Sequence, residues 1–216
     1  MVYLGIVAAL IVLIIIYIVI ESTGFKTVTY ELVSEKVPRD LKIAMLSDLH
    51  NKDFGNANEA LLRAIDSFGP DLVCFSGDMV TSGWSMSFDY RRTLDFFAKV
   101  AAKYPVCYGL GNHEQNFKED REKFPEDFDK LSGAVRDMGM EFLDNSYKDY
   151  PELNTSVYGL SLDYSFYRRG ATKQIPKDLI REQIGNADPK RFVILLAHNP
   201  AYFEDYTDWK ADLVLS

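Results

Sequence analysis

Residues Tyr3 to Ile20 form an unbroken apolar run rich in Ile, Leu and Val. A helix needs roughly 20 apolar residues, and no fewer than about 17, to cross a bilayer core. The run therefore predicts one N-terminal transmembrane helix over residues 1–22. A cleaved signal peptide is the competing reading, and it requires a basic start, a shorter apolar core and a small-x-small cleavage site. No Lys or Arg precedes the run, and Glu21-Ser22-Thr23-Gly24 is a poor cleavage site. An uncleaved, single-pass anchor in the cell membrane is the expectation. The nearest basic residues are Lys26, Lys36, Arg39 and Lys42, all on the C-terminal side. Taken literally they would hold the following domain in the cytoplasm. They are interleaved with Glu31, Glu35 and Asp40, so the side stays open.

Residues 23–40 read as a linker and a first strand, since Thr27 to Val33 alternates and is β-branched. From residue 41 onward, short apolar runs alternate with helical patterns. Leu41–Ser47, Leu72–Phe75, Val106–Leu110, Glu141–Leu143, Ser156–Leu162, Arg191–Ala197 and Ala211–Ser216 predict strands. Leu61, Ala64, Ile65 and Phe68 fall at helical spacing within Asn56–Phe68, and Gly69-Pro70 stops that helix. Arg91–Ala102 reads as a second helix. Phe128, Leu131, Val135 and Met138 mark a third that closes near Gly139. Asn199 as N-cap and Pro200 at the first helical position predict one more start.

Composition narrows the class. The chain has 216 residues, 47% hydrophobic and 13% aromatic, which is enough for a packed core and too apolar for disorder. A net charge of −8 disfavours nucleic acid as a partner, because phosphate backbones attract basic faces. It does not disfavour a phosphorylated substrate whose charge is met locally by metal ions. Cys74 and Cys107 both lie in apolar strand-like runs and read as buried thiols. The acidic run Glu119–Asp129 reads as a solvated helix face, and Tyr164, Tyr167, Arg168 and Arg169 as a solvated loop, the alternative being a patch that steers a phosphate or touches lipid head groups.

Candidate chemistry gathers where predicted strands end. Asp48 and His50 follow the first strand of the domain, Asp78 the next, Asn112 and His113 the next, and His198 a later one. The chain holds three histidines, and all three fall just after a predicted strand. In β-α-β sheets the carboxyl ends of strands collect on one edge, where ligands bind. Two divalent ions about 3.5–4 Å apart clamp the attacking and leaving oxygens of a phosphoryl transfer. A carboxylate with two oxygens bridges such a pair, and Asp78 is the natural bridge. Asp48 and His50 would hold one ion, Asn112 and His198 the other. Gly77 and Gly111 allow close backbone approach. A bridging water would be activated as hydroxide, the nucleophile. His113 is then free to protonate the leaving oxygen or to stabilise charge on the phosphoryl oxygens.

Ser-Asp-Leu-His at 47–50, Gly-Asp at 77–78, Gly-Asn-His-Glu at 111–114 and the strand-end His198 resemble the calcineurin-like metallophosphoesterases. The resemblance covers about residues 41 to 216, and with the N-terminal anchor it is similar to the membrane-associated bacterial branch. It implies an α/β fold, a four-layer αββα sandwich of two mixed β-sheets flanked by helices. It also implies two divalent metal ions, with Mn, Fe or Zn favoured, and hydrolysis of a phosphomonoester or phosphodiester. The expected substrate is a phosphorylated small molecule or a lipid or cell-envelope phosphoester. Two departures stand out. The family's closing Gly-His-x-His would fall beyond Asp212–Ser216, so the domain at 41–216 is expected to be C-terminally incomplete, a piece of a longer protein. Many relatives also carry an Asp three residues after the bridging Asp, paired with the catalytic His; here that position is Thr81. The alternative reading is a catalytically impaired, membrane-anchored binding or scaffold protein that retains the fold.

Overall fold

The computed structural model describes residues 2–83, 90–168 and 173–216. It begins with a helix, α1 (Val2–Thr23), followed by an irregular stretch up to the domain. Among the described residues no helix is long and apolar enough to cross a membrane. The expected transmembrane span is therefore not supported, and α1 stands as an apolar helix. The predicted strand at Thr27–Val33 is not formed either. Val28, Tyr30, Leu32 and Val33 are exposed, and among the described residues no strand is hydrogen-bonded to this segment. Alternation favours a strand only where a partner and a packed face exist.

Among the described residues, two four-stranded sheets make up the domain. The first contains β1 (Ile43–Leu46), β2 (Leu72–Ser76), β3 (Val106–Gly109) and β4 (Glu141–Leu143), in that order. All its pairings are parallel. Between these strands the chain crosses over through α2 (Glu59–Phe68), α3 (Arg91–Ala101), α4 (Asn112–Glu119) and α5 (Asp127–Asp137). The second sheet contains β5 (Ser146–Tyr150), β6 (Thr155–Gly159), β7 (Phe192–Leu196) and β8 (Leu213–Leu215). Here β5 and β6 are antiparallel, while β6–β7 and β7–β8 are parallel. Of the two sheets expected to be mixed, only the second is. The difference follows from connection length. A single 3₁₀ turn at Pro151–Leu153 joins β5 to β6, and a parallel pair needs a crossover of a dozen residues or more.

The alternation along the central strands sorts the core into layers. On β2, Val73 and Phe75 face the helices and pack with Phe96, Phe97 and Val100 of α3 and Leu131 and Val135 of α5. Leu72 and Cys74 face the other way, towards Ile194 and Leu196 of β7. On β7, Val193 and Leu195 face Ile180 and Ile184 of α6 (Leu179–Ile184) and Tyr206 of α7 (Phe203–Asp208). The order is helices, sheet, sheet, helices. Strands covered on both faces read as continuous apolar runs, which is why β2, β3 and β7 were legible. Cys74 and Cys107 sit opposite each other between the sheets as free, buried thiols. Burial pushes both upward, Cys107 to about 12. The acidic run is split: exposed Glu119 ends α4, Asp120 and Glu122 lie in the exposed turns that follow, and Asp127 and Asp129 open α5, with Asp129 held by Arg121 at 2.7 Å.

Candidate metal centre

The loops after β1, β2 and β3 leave the first sheet at one edge, and the loop after β7 reaches them from the second. The first two loops remain stitched beyond the strands: Asp48 N–H donates to Gly77 O at 3.1 Å, His50 N–H to Asp78 O at 3.0 Å and Asn51 N–H to Met79 O at 3.1 Å. Asp48, His50 and Asp78 all adopt positive φ, between 49° and 53°. Non-glycine residues there carry strain, and it clusters at functional sites. Gly77 and Gly111 let the next two loops touch. Gly77 has φ of +100°, and a Cβ on it would lie 2.5 Å from Gly111 N; one on Gly111 would collide with the Asp78 carboxylate.

Five of the six anticipated side chains meet there. Three imidazoles turn Nε2 towards one carboxylate oxygen, Asp78 Oδ2: His198 at 3.3 Å, His50 at 3.8 Å and His113 at 3.9 Å. Asp48 Oδ1 lies 3.4 Å from His50 Nε2 and 4.0 Å from His198 Nε2. Two donor groups result, His50–Asp78–His113 and Asp48–Asp78–His198, each with ligand atoms within 4.8 Å of one another. Asp78 belongs to both. Asn112 opens α4 beside Gly111 and His113 and is half-buried.

The sequence profile of the family described as "Calcineurin-like phosphoesterase" matches residues 41–215. The chain belongs to that family. It is a metal-dependent phosphoesterase, a hydrolase of ester bonds. A protein of Aquifex aeolicus (strain VF5) named "Uncharacterized metallophosphoesterase" is 26% identical over 205 residues, spanning 91% of this chain and 70% of that protein. The crystal structure of Phosphopantetheinyl Hydrolase (PptH) from Mycobacterium tuberculosis matches with a TM-score of 0.46 and 16% identity, covering 79% of this chain and 75% of that one.

The donor set of this phosphoesterase suits divalent cations. It mixes carboxylate and imidazole, the pairing that Mn, Fe and Zn accept. Its electrostatics point the same way. Burial works against charge on His198, yet the hydrogen bond and charge of Asp78, with Asp48, push its imidazole up to about 9. Burial likewise opposes charge on Asp78, but the hydrogen bond and charge of His198, with the His113 backbone N–H and charge, hold it below the ordinary carboxylate value. Burial lowers the His113 imidazole, opposed by Asp78 and aided by His50 and His198. His198 Nδ1 lies 3.0 Å from Ser76 O. A carbonyl accepts only, so Nδ1 carries hydrogen and Nε2 presents its lone pair to the site when neutral.

Glu114 had no anticipated role, and it holds the site in place. Its side chain is fully buried. One carboxylate oxygen accepts from Asp78 N–H and Gly111 N–H, both at 2.9 Å. The other accepts from Met79 N–H at 3.0 Å, Val80 N–H at 3.3 Å and Tyr108 O–H at 2.7 Å. The legible signal was a Glu three residues after Gly111, the capping-box spacing. Tyr167 was also misplaced. It lies on a 3₁₀ turn, Tyr164–Tyr167, with its ring 6.2 Å from that of His198 rather than on a solvated loop. Arg168 is exposed, and Arg169 lies outside the described residues.

Glu114→Gln leaves the shape unchanged but turns an amide NH2 against backbone N–H donors. Hydrogen bonds to buried charge contribute roughly 1.5–3 kcal/mol, so unfolding in urea should show a loss of about 2–3 kcal/mol. The His198 imidazolium, raised from its ordinary value, stabilises the metal-free protein fully below about pH 6.5 and loses that contribution as pH rises through about 9. Urea unfolding in chelator should therefore show falling stability across that window. Manganese affinity, measured calorimetrically, should rise across it, since metal and proton compete for the same nitrogen.

Proposed function

We propose that this chain hydrolyses a phosphomonoester or phosphodiester at a centre of two divalent ions held by Asp48, His50, Asp78, Asn112 and His198. The observation that carries the reading is the place of Asp78 Oδ2 between His198 Nε2 at 3.3 Å and His50 Nε2 at 3.8 Å, with Asp48 Oδ1 3.4 Å from His50 Nε2. A shared carboxylate is what two adjacent cations need to lie side by side without full repulsion. When bound, the ions supply Lewis-acid charge and lower the pKa of water towards neutrality.

The chain's own residues do the rest. The positive-φ backbone at Asp48, tied to Gly77 O, and at Asp78, braced by Glu114, sets the carboxylates before any ligand arrives. Such preorganisation spares reorganisation during reaction. His113 offers Nε2 to the phosphoryl or leaving oxygen from a half-buried position beside Asp78. The Tyr167 ring beside His198 forms part of the wall a substrate meets. The substrate class is a phosphorylated small molecule or a lipid or cell-envelope phosphoester. The second alternative follows from α1, whose described side chains Leu10 to Ile18 are apolar and exposed. A helix apolar all round is stable in lipid rather than in water, and we place α1 there.

Hydrolysis of p-nitrophenyl phosphate or its bis-ester with added manganese tests the reaction. Activity should vanish with chelator and in Asp78→Asn, whereas His113→Ala should retain its metal and lose about 10²-fold in kcat, the usual cost of one transition-state donor. Activity that survives chelator and Asp78→Asn contradicts the mechanism, and a protein inert under all conditions supports the scaffold alternative. For α1, the whole chain should float with phospholipid vesicles in high salt and a chain lacking residues 2–24 should not; equal behaviour removes the lipid assignment.

A further inference from the structure

His113 is not oriented by a carboxylate at Thr81, the position where the resemblance predicts one. The groups that meet its Nδ1 belong to Ser82. The Ser82 backbone N–H donates to Nδ1 at 2.9 Å, and Ser82 Oγ lies 2.7 Å from it. Asn116 Nδ2 in turn donates to Ser82 Oγ at 3.0 Å. Asn116 sits one helical turn after His113 on α4, so ring and support share one rigid element.

The chemistry of these partners decides where the ring proton sits. A backbone amide donates and never accepts, so Nδ1 must present its lone pair to it. In the neutral ring the hydrogen is then on Nε2, the nitrogen that faces Asp78 Oδ2. The Asn116 amide occupies one lone pair of Ser82 Oγ and leaves the hydroxyl hydrogen to point at Nδ1, whose single lone pair it shares with the Ser82 backbone N–H. His198 shows the opposite arrangement, with Nδ1 against the Ser76 carbonyl and a lone pair on Nε2. Backbone groups thus set two neighbouring imidazoles in opposite tautomers. One suits a metal ligand and the other does not, although distance alone places His113 in a donor group with His50 and Asp78.

We propose that Ser82 and Asn116 are positioning residues that hold His113 as a neutral Nε2–H donor, which gives a hydrogen bond to the phosphoryl or leaving oxygen and keeps its proton. The oxygen that receives it rests on the phosphoesterase reading; the tautomer does not. The hydrogen bond strengthens as negative charge develops on that oxygen, and the proton the leaving group finally takes comes from water.

Nitrogen-15 spectra of histidine-labelled protein, metal-free and with zinc, test the tautomer. The chain has three histidines, and His113→Ala assigns the signals. His113 should show an unprotonated Nδ1 and a protonated Nε2 in both samples. A protonated Nδ1 overturns the proposal. Kinetics test the positioning. Ser82→Ala and Asn116→Ala should each lower kcat roughly 5-fold, the equivalent of one hydrogen bond of about 1 kcal/mol. KM and bound metal should stay unchanged, and Ser82→Thr should restore the rate. Wild-type kcat in both alanine variants, or a loss of bound metal instead of rate, also overturns it. If the wild-type protein hydrolyses no phosphoester, the phosphoesterase reading fails, while the nitrogen spectrum still decides the tautomer.

Discussion

One buried carboxylate holds the centre together. Glu114 accepts from the backbone of Asp78, Met79, Val80 and Gly111 and from the Tyr108 hydroxyl. It thereby ties the loop after β2 to the loop after β3. A charge in that position is costly unless every lone pair is used. Burial and the nearby Asp78 raise its pKa, while the Tyr108 hydroxyl and backbone N–H groups oppose that rise. The clamp works only because Gly77 and Gly111 allow the loops to touch. With both loops fixed, Asp78 and His113 cannot drift apart, and His113 N–H closes the link to Asp78 Oδ1 at 2.8 Å.

The two sheets divide the labour. The parallel sheet brings Asp48, His50, Asp78 and His113 to one edge through three successive strand ends, and β7 of the mixed sheet supplies His198. The inter-sheet core of Leu72, Cys74, Ile194 and Leu196 sets the distance at which these meet. Packed interiors resist small displacements, so the separation of His198 from Asp78 is a property of the core as much as of the loops. Acidic groups at the centre and imidazoles around them then leave a site that attracts cations, as the raised pKa of His198 shows.

Much of this was legible in the chain because the signals were local. Buried parallel strands read as apolar runs, and their ends carried Asp48, His50, Asp78, Asn112, His113 and His198. The Asn199–Pro200 start was met by a 3₁₀ turn, with the Asn199 side chain accepting from Ala201 N–H at 3.1 Å. What escaped depends on contacts far apart in sequence. Thr27–Val33 has the strand pattern without a partner. Ser146–Tyr150 is polar on one face and gained its identity from β6. Ser82 became a partner of His113 only when α4 lay against the loop after β2. Tyr167 reached His198 from a different connection altogether. Apart from Thr27–Val33, whose alternation is present but unpartnered, none of these leaves a periodicity or a spacing to read.

In the function proposed above, a shared Asp78 gathers two cations while His113 stays outside their ligand shell. Anomalous scattering from crystals soaked in manganese tests it most directly. The account predicts two peaks about 3.5–4 Å apart on either side of the Asp78 carboxylate, with His113 Nε2 bonded to neither. A single peak, peaks away from Asp78, or a manganese ion on His113 Nε2 would contradict it.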